Sequence, residues 1–117
     1  VIFMCNHCPY VVAVQDRINA LARRFRDRGV ALVGINSNDA TRYPADSFEA
    51  MKVRATEQAY AFPYLFDESQ DVARAYDAAC TPDPYVYENG GDGRFVLRYH
   101  GRIAALAEGA RENGLDF

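Results

Sequence analysis

A surplus of positive charge is missing from this sequence. Thirteen Lys and Arg stand against sixteen Asp and Glu, for a net charge of −3. That balance excludes the basic footprint expected of a protein that binds nucleic acid or an anionic membrane surface. No apolar run approaches the ~20 residues of a membrane-spanning helix. Tryptophan is absent, and cysteine occurs only three times, at Cys5, Cys8 and Cys80. Three thiols, two of them close together and one distant, are not the dispersed even set of a disulfide framework. No internal repeat, low-complexity tract or linker interrupts the chain, and no secretory leader is visible. The sequence opens on Val1, already inside a strand pattern, so an N-terminal stretch, with any targeting segment, is expected upstream. Localisation is left open, with the cytoplasm as the default.

What is present reads as one domain over residues 1–117. Half the residues are apolar and a quarter charged, the composition of an ordinary globular domain. Val1 to Met4 is a continuous apolar run, the pattern of a strand covered on both faces. From about Cys8 to Arg28 the spacing turns helical, with Val11, Val14, Ile18, Leu21, Ala22 and Phe25 on one stripe. Pro9 suits the first turn, where a missing N–H costs nothing, and Gly29 suits the C-terminal cap. "VALVGI" (Val30–Ile35) predicts a second buried strand, so the opening is a β-α-β unit with parallel strands. Residues 36–47 read as loop, with Ser47 capping a helix that runs to about Gln58. Phe62–Asp67 predicts a short strand and Ser69–Asp77 a short helix. "PYVYE" and "RFVLRYH" flanking "NGGDG" are a strong hairpin signal. A last helix is expected from Ile103 to about Asn113.

The chemistry concentrates in "FMCNHCPYV". Cys5 and Cys8 fall where the first strand gives way to the first helix. The unpaired N–H groups and positive dipole end of a helix start favour a thiolate over a thiol. A cysteine pKa of ~8.5 falls to roughly 3.5–7.5 in such settings. The i, i+3 spacing lets one sulfur reach the other, so the pair can attack a disulfide and resolve the mixed product internally. The N-terminal thiol of such a pair is normally the exposed one, which makes Cys5 the expected nucleophile and Cys8 the resolving thiol. His7 between them can hydrogen-bond a thiolate or carry positive charge beside it, or it can be a solvent-exposed residue at the helix start. Tyr10 is a candidate shield for the sulfurs.

A buried strand followed by Cys-x-x-Cys at a helix start resembles the thioredoxin superfamily. "CTPDPYVYE" strengthens the likeness, because Thr81-Pro82 falls where that superfamily carries a cis-proline facing the cysteine pair. "VGINSND" and "FPYLFDESQ" extend the resemblance, over roughly Val1 to Ile103, to a bacterial redoxin or thiol-specific-antioxidant-like group of the thiol-disulfide isomerase/thioredoxin kind. The resemblance implies an α/β thioredoxin-like fold: a central mixed sheet flanked by helices, with a peroxiredoxin-like insertion at about Asn36–Asp67. The fold's first strands would then lie upstream of Val1, together with the buried acid that assists the resolving cysteine. It implies thiol-disulfide exchange, with Thr81 and Pro82 aligning a protein disulfide or dithiol substrate. Electrons would come from a redox partner protein or a small thiol, with no organic cofactor, metal, nucleic acid or membrane involved. Met4 replaces the tryptophan that usually precedes the first cysteine.

Two rival readings start from the same residues. Peroxiredoxins place a proline and a threonine at fixed offsets before their reactive cysteine. Counted back from Cys8 those positions hold Val1 and Cys5, and counted back from Cys5 the threonine position holds Ile2, so the peroxidase motif is absent. A copper- or zinc-binding protein would use the cysteine pair as half a tetrahedral site, completed from His7, Cys80 or His100. Cys80 itself reads either as an accessory thiol or, preferentially, as a small buried hydrophobe. His100 reads as a strand residue near the sheet end.

Overall fold

The computed structural model describes residues 1–103. Its frame is a five-stranded mixed sheet in the order β3-β2-β1-β4-β5. The strands are β1 (Ile2–Phe3), β2 (Gly34–Asn36), β3 (Tyr64–Phe66), β4 (Asp83–Asn89) and β5 (Phe95–His100). β1, β2 and β3 are parallel, whereas β4 runs antiparallel to β1 and β5 antiparallel to β4. The helices are α1 (Pro9–Phe25), α2 (Phe48–Glu57) and α3 (Asp71–Tyr76), with short 3-10 turns at Arg26–Arg28 and Pro44–Asp46.

β1 explains why the chain begins on an unbroken apolar run. Successive side chains of a strand point to opposite faces, and both faces are covered here. Ile2 and Met4 join a core with Val11, Ile18 and Ala22 of α1. Phe3 joins a second core with Ile35 and Tyr85, against which Ala73, Tyr76 and Ala78 pack. The parallel pairing of β1 with β2 around α1 is the expected β-α-β unit. Pro9 occupies the first turn of α1, and Gly29 closes the following 3-10 turn in the left-handed region at φ 76°.

Three differences from the sequence reading have physical causes. β2 holds only Gly34–Asn36, and Val30 is 52% exposed, because β1 and β3 are two and three residues long and offer no ladder to residues 30–32. Asn19, off the apolar stripe, is buried because its side chain donates to the carbonyls of Gln58 and Ala59 and accepts from the Ala61 N–H. Those bonds tie α1 to the turn that ends α2. The helix expected after Ile103 lies outside the described residues.

Gly34 sits where β1 and β3 squeeze β2. A Cβ there would lie 2.8 Å from Met4 Sδ and 2.9 Å from Phe62 Cε2. Gly34→Ala is expected to lower stability by about 1–3 kcal/mol through overpacking, seen as a reduced urea midpoint with an unchanged slope.

Asp67, buried after β3, caps α3 from outside. Its carboxylate accepts from the Val72 and Ala73 amides and from the Ser37 hydroxyl. Burial pushes its pKa up, but the Ser37 hydroxyl and the two amides outweigh that and hold it below the ordinary carboxylate value. A depressed folded-state pKa adds stability that is complete above the unfolded-state value and disappears as pH falls through the folded one. Asp67→Asn should therefore cost about 1–2 kcal/mol at pH 7, and urea titrations at falling pH should show that gap closing below about pH 4.

Candidate active site

Between the two cysteines stands Asn6, 4% exposed. Its N–H donates to Asp46 Oδ1 at 2.7 Å and its Nδ2 to the Ala45 carbonyl at 2.9 Å. Its Oδ1 accepts from the Tyr64 hydroxyl at 2.9 Å, and its carbonyl accepts from Arg54 Nη2. All four polar groups of one residue are thus anchored, by the turn before α2, by α2 itself and by β3. The dithiol loop is held from behind.

Held this way, the loop delivers the sulfurs to the start of α1. Cys5 Sγ accepts the Cys8 N–H at 3.2 Å and lies 3.8 Å from Thr81 Oγ1. Cys8 Sγ donates to the Thr81 carbonyl at 3.7 Å. Thr81 therefore meets both sulfurs. The Thr81–Pro82 bond is cis, and these two residues lead directly into β4, whose antiparallel pairing with β1 sets its first residues beside the end of that strand.

The expected order of exposure is reversed. Cys5 is 1% exposed, whereas Cys8 is half-buried. Cys5 continues the buried direction of β1, and Cys8 is the residue that caps α1. Burial pushes the Cys5 thiol up to about 11; the nearby charges of Asp46 and Cys8 add to this, while Thr81 and the Cys8 N–H oppose it. Cys8 shifts the other way. Burial disfavours its thiolate, but the Thr81 side chain, the Val11 and Tyr10 amides and the Cys5 thiol together lower its pKa.

His7 is half-exposed and places Nδ1 2.7 Å from Asp46 Oδ2, with its ring stacked on Tyr43 at 5.7 Å. Asp46 is fully buried and also accepts from Asn38 Nδ2 at 2.7 Å. Among the described residues, Cys5, His7 and Asp46 bring one ligand atom each within 4.8 Å of one another.

The remaining candidates separate. Cys80 is exposed, so the reading of it as a small buried hydrophobe is corrected: it precedes Thr81 on a surface segment and lines a cavity of about 500 Å³ with Thr81, Asn38 and Arg74. His100 is taken up by Asp83, 2.6 Å away, and by stacking on Tyr85 at 4.0 Å. Tyr10 is 74% exposed. Asn6 and Asp46 went unread in the sequence. Forty residues separate them, and no local pattern distinguishes this Asp from any other loop carboxylate.

Asn6→Ala removes the bonds to Ala45 and Tyr64 and should cost about 1–3 kcal/mol. Urea unfolding should show that loss, with Tyr64→Phe losing less because the Ala45 bond survives.

Comparison with known proteins follows the same geometry. The model of the AhpC/TSA family matches residues 1–106. The crystal structure of an uncharacterized conserved protein from Geobacillus kaustophilus superposes with a TM-score of 0.81 at 43% identity, covering 97% of this chain and 66% of that one. A hypothetical protein from Sinorhizobium meliloti 1021 superposes at 0.83 and 37% identity, covering 98% and 69%. This chain therefore spans about two thirds of each of those proteins. A stretch of 32 residues is 59% identical to the large ribosomal subunit protein uL18 of Lacticaseibacillus casei (strain BL23), 27% of this chain and 23% of that protein; so short a match carries no fold.

Proposed function

The chain belongs to the AhpC/TSA family of the thioredoxin-like superfamily, and from that premise we propose that it exchanges disulfides with protein substrates through Cys5 and Cys8. Membership brings thiol-dependent redox chemistry of the thioredoxin-like kind; the substrate and the working order of the thiols are this proposal. One observation carries it. Thr81 touches both sulfurs, one accessible and one sealed, at the start of a helix.

The steps follow from accessibility. The Cys8 thiolate attacks one sulfur of a substrate disulfide, forming a Cys8–substrate bond and releasing the other substrate sulfur as a thiolate. Cys5 then attacks the Cys8 sulfur, giving the Cys5–Cys8 disulfide and a second substrate thiolate. The substrate disulfide gains two electrons and the dithiol loses two. The Cys5 proton leaves toward His7 and Asp46, whose ring nitrogen and carboxylate lie within 4.8 Å of its sulfur. Substrate backbone aligns along Thr81 and Pro82, and a partner dithiol protein or a small thiol returns the electrons. This order inverts the sequence expectation, because a buried sulfur cannot meet a protein disulfide first.

The test uses the reduced chain carrying Cys80→Ser, which removes the exposed third thiol, and a disulfide-bonded peptide as probe. The parent should cleave the peptide and finish with one Cys5–Cys8 bond per chain by mass. Adding Cys5→Ser should accumulate a mixed disulfide on Cys8, and adding Cys8→Ser should form one at least about tenfold more slowly. Accumulation on Cys5 instead would restore the opposite order. A parent that forms no internal bond while consuming hydrogen peroxide would replace exchange with peroxidase chemistry.

A further inference from the structure

Asp46 has more to offer than an anchor for the loop. It is a fully buried carboxylate, and its atoms, the Cys5 sulfur and a His7 ring nitrogen form one cluster within 4.8 Å. Sulfur, imidazole nitrogen and carboxylate oxygen form the donor set that suits zinc rather than magnesium or calcium. Zinc bonds of about 2.0–2.3 Å place neighbouring ligand atoms roughly 3.3–3.8 Å apart, and the cluster needs only a small rearrangement to reach that spacing. The one contact that is too short is His7 Nδ1 to Asp46 Oδ2 at 2.7 Å. The half-exposed His7 ring can turn outward to open it, and its exposed side provides the entry path.

The surroundings match what ligating groups require. Asn6 N–H on Oδ1 and Asn38 Nδ2 on Oδ2 fix the carboxylate, as outer hydrogen bonds do for metal ligands. The Cys8 N–H donates to the Cys5 sulfur at 3.2 Å; the Cys8 sulfur lies outside the cluster, on the Thr81 carbonyl at 3.7 Å, and has to turn from that carbonyl to serve as a fourth donor. The charges also balance: two thiolates and one carboxylate are set against the ion and the Arg54 guanidinium, which is bound to the neighbouring Asn6 carbonyl.

We propose that the reduced protein binds one zinc ion through Cys5, His7 and Asp46, with Cys8 closing the tetrahedron. Binding displaces the Cys5 and Cys8 thiol protons to solvent and replaces the His7–Asp46 hydrogen bond by two metal bonds. No electron moves. The proposal stands on this cluster and does not need the exchange reading. Where both hold, zinc masks the reduced pair, and formation of the Cys5–Cys8 disulfide withdraws two of its donors.

The experiment titrates the reduced, chelator-stripped chain with zinc alone, without oxygen and against a chromophoric competitor; cobalt(II) is then substituted as a spectroscopic probe. One zinc per chain is expected, together with cobalt bands of tetrahedral, thiolate-containing coordination, and Cys80→Ser should leave both unchanged. His7→Gln and Asp46→Asn should each weaken binding at least about tenfold, and the oxidised chain should bind none. Because Asp46→Asn strikes a buried group and can impair folding, the half-exposed His7→Gln carries the decision. Wild-type affinity in His7→Gln would assign the ion to the cysteines alone and overturn the proposal, as would zinc binding to the oxidised chain or loss of binding in Cys80→Ser. Absence of zinc binding alongside normal peptide cleavage would end this inference and leave disulfide exchange standing.

Discussion

The clamp on Asn6 is the constraint from which the site is built. A loop between a strand and a helix ordinarily lies at the surface, because buried backbone polar groups need partners. Here the loop turns inward, and each of the four polar groups of Asn6 finds one in Asp46, Ala45, Tyr64 or Arg54. Those partners come from three separate pieces of the residues that follow β2. The segment that looked like an insertion on a minimal frame is therefore the wall against which the dithiol loop is set. With the loop fixed at Asn6, the positions of Cys5 and Cys8 on either side are no longer free.

Fixing the loop separates the two thiols chemically. Cys5 is carried down with β1 into the core shared with Met4 and Val11, and burial dominates its pKa. Cys8 stands at the lip of α1, where the amides of the first turn and Thr81 favour its thiolate. Two identical side chains three residues apart thus differ because one ends a strand and the other starts a helix. The general habit of Cys-x-x-Cys pairs, by which the first thiol is exposed, yields to the inward course of this particular loop.

Much of the frame was legible because it is locally encoded. The apolar run of β1, the stripe of α1, Pro9, the Ser47 cap of α2 and the "NGGDG" turn each carry their signal within a few residues. The parallel β1–β2 pair follows from the helix between them. The extent of β2 was not legible, since strand length depends on neighbours that are themselves two and three residues long. Nor were Asn6, Asn19 and Asp46, polar residues buried by bonds that span 39 to 58 positions. A polar residue buried by a distant partner looks, in sequence, like any solvated one. His100 shows the same limit, because its hold on Asp83 and Tyr85 depends on the register of a hairpin.

Topology accounts for the one long-range feature that sequence position did suggest. β1 runs toward the cysteines, and β4 pairs with it in the opposite direction, Phe3 opposite Asp83 and Ile2 opposite Pro84. Antiparallel pairing places the start of one strand beside the end of the other. The residues entering β4 must therefore meet those leaving β1, and Thr81 meets Cys5 and Cys8 at 3.8 and 3.7 Å. A parallel β4 would have carried Thr81 to the far end of β1, a strand's length from either sulfur. The sheet order supplies the encounter, and Asn6 holds the sulfurs still enough for it to have a defined geometry.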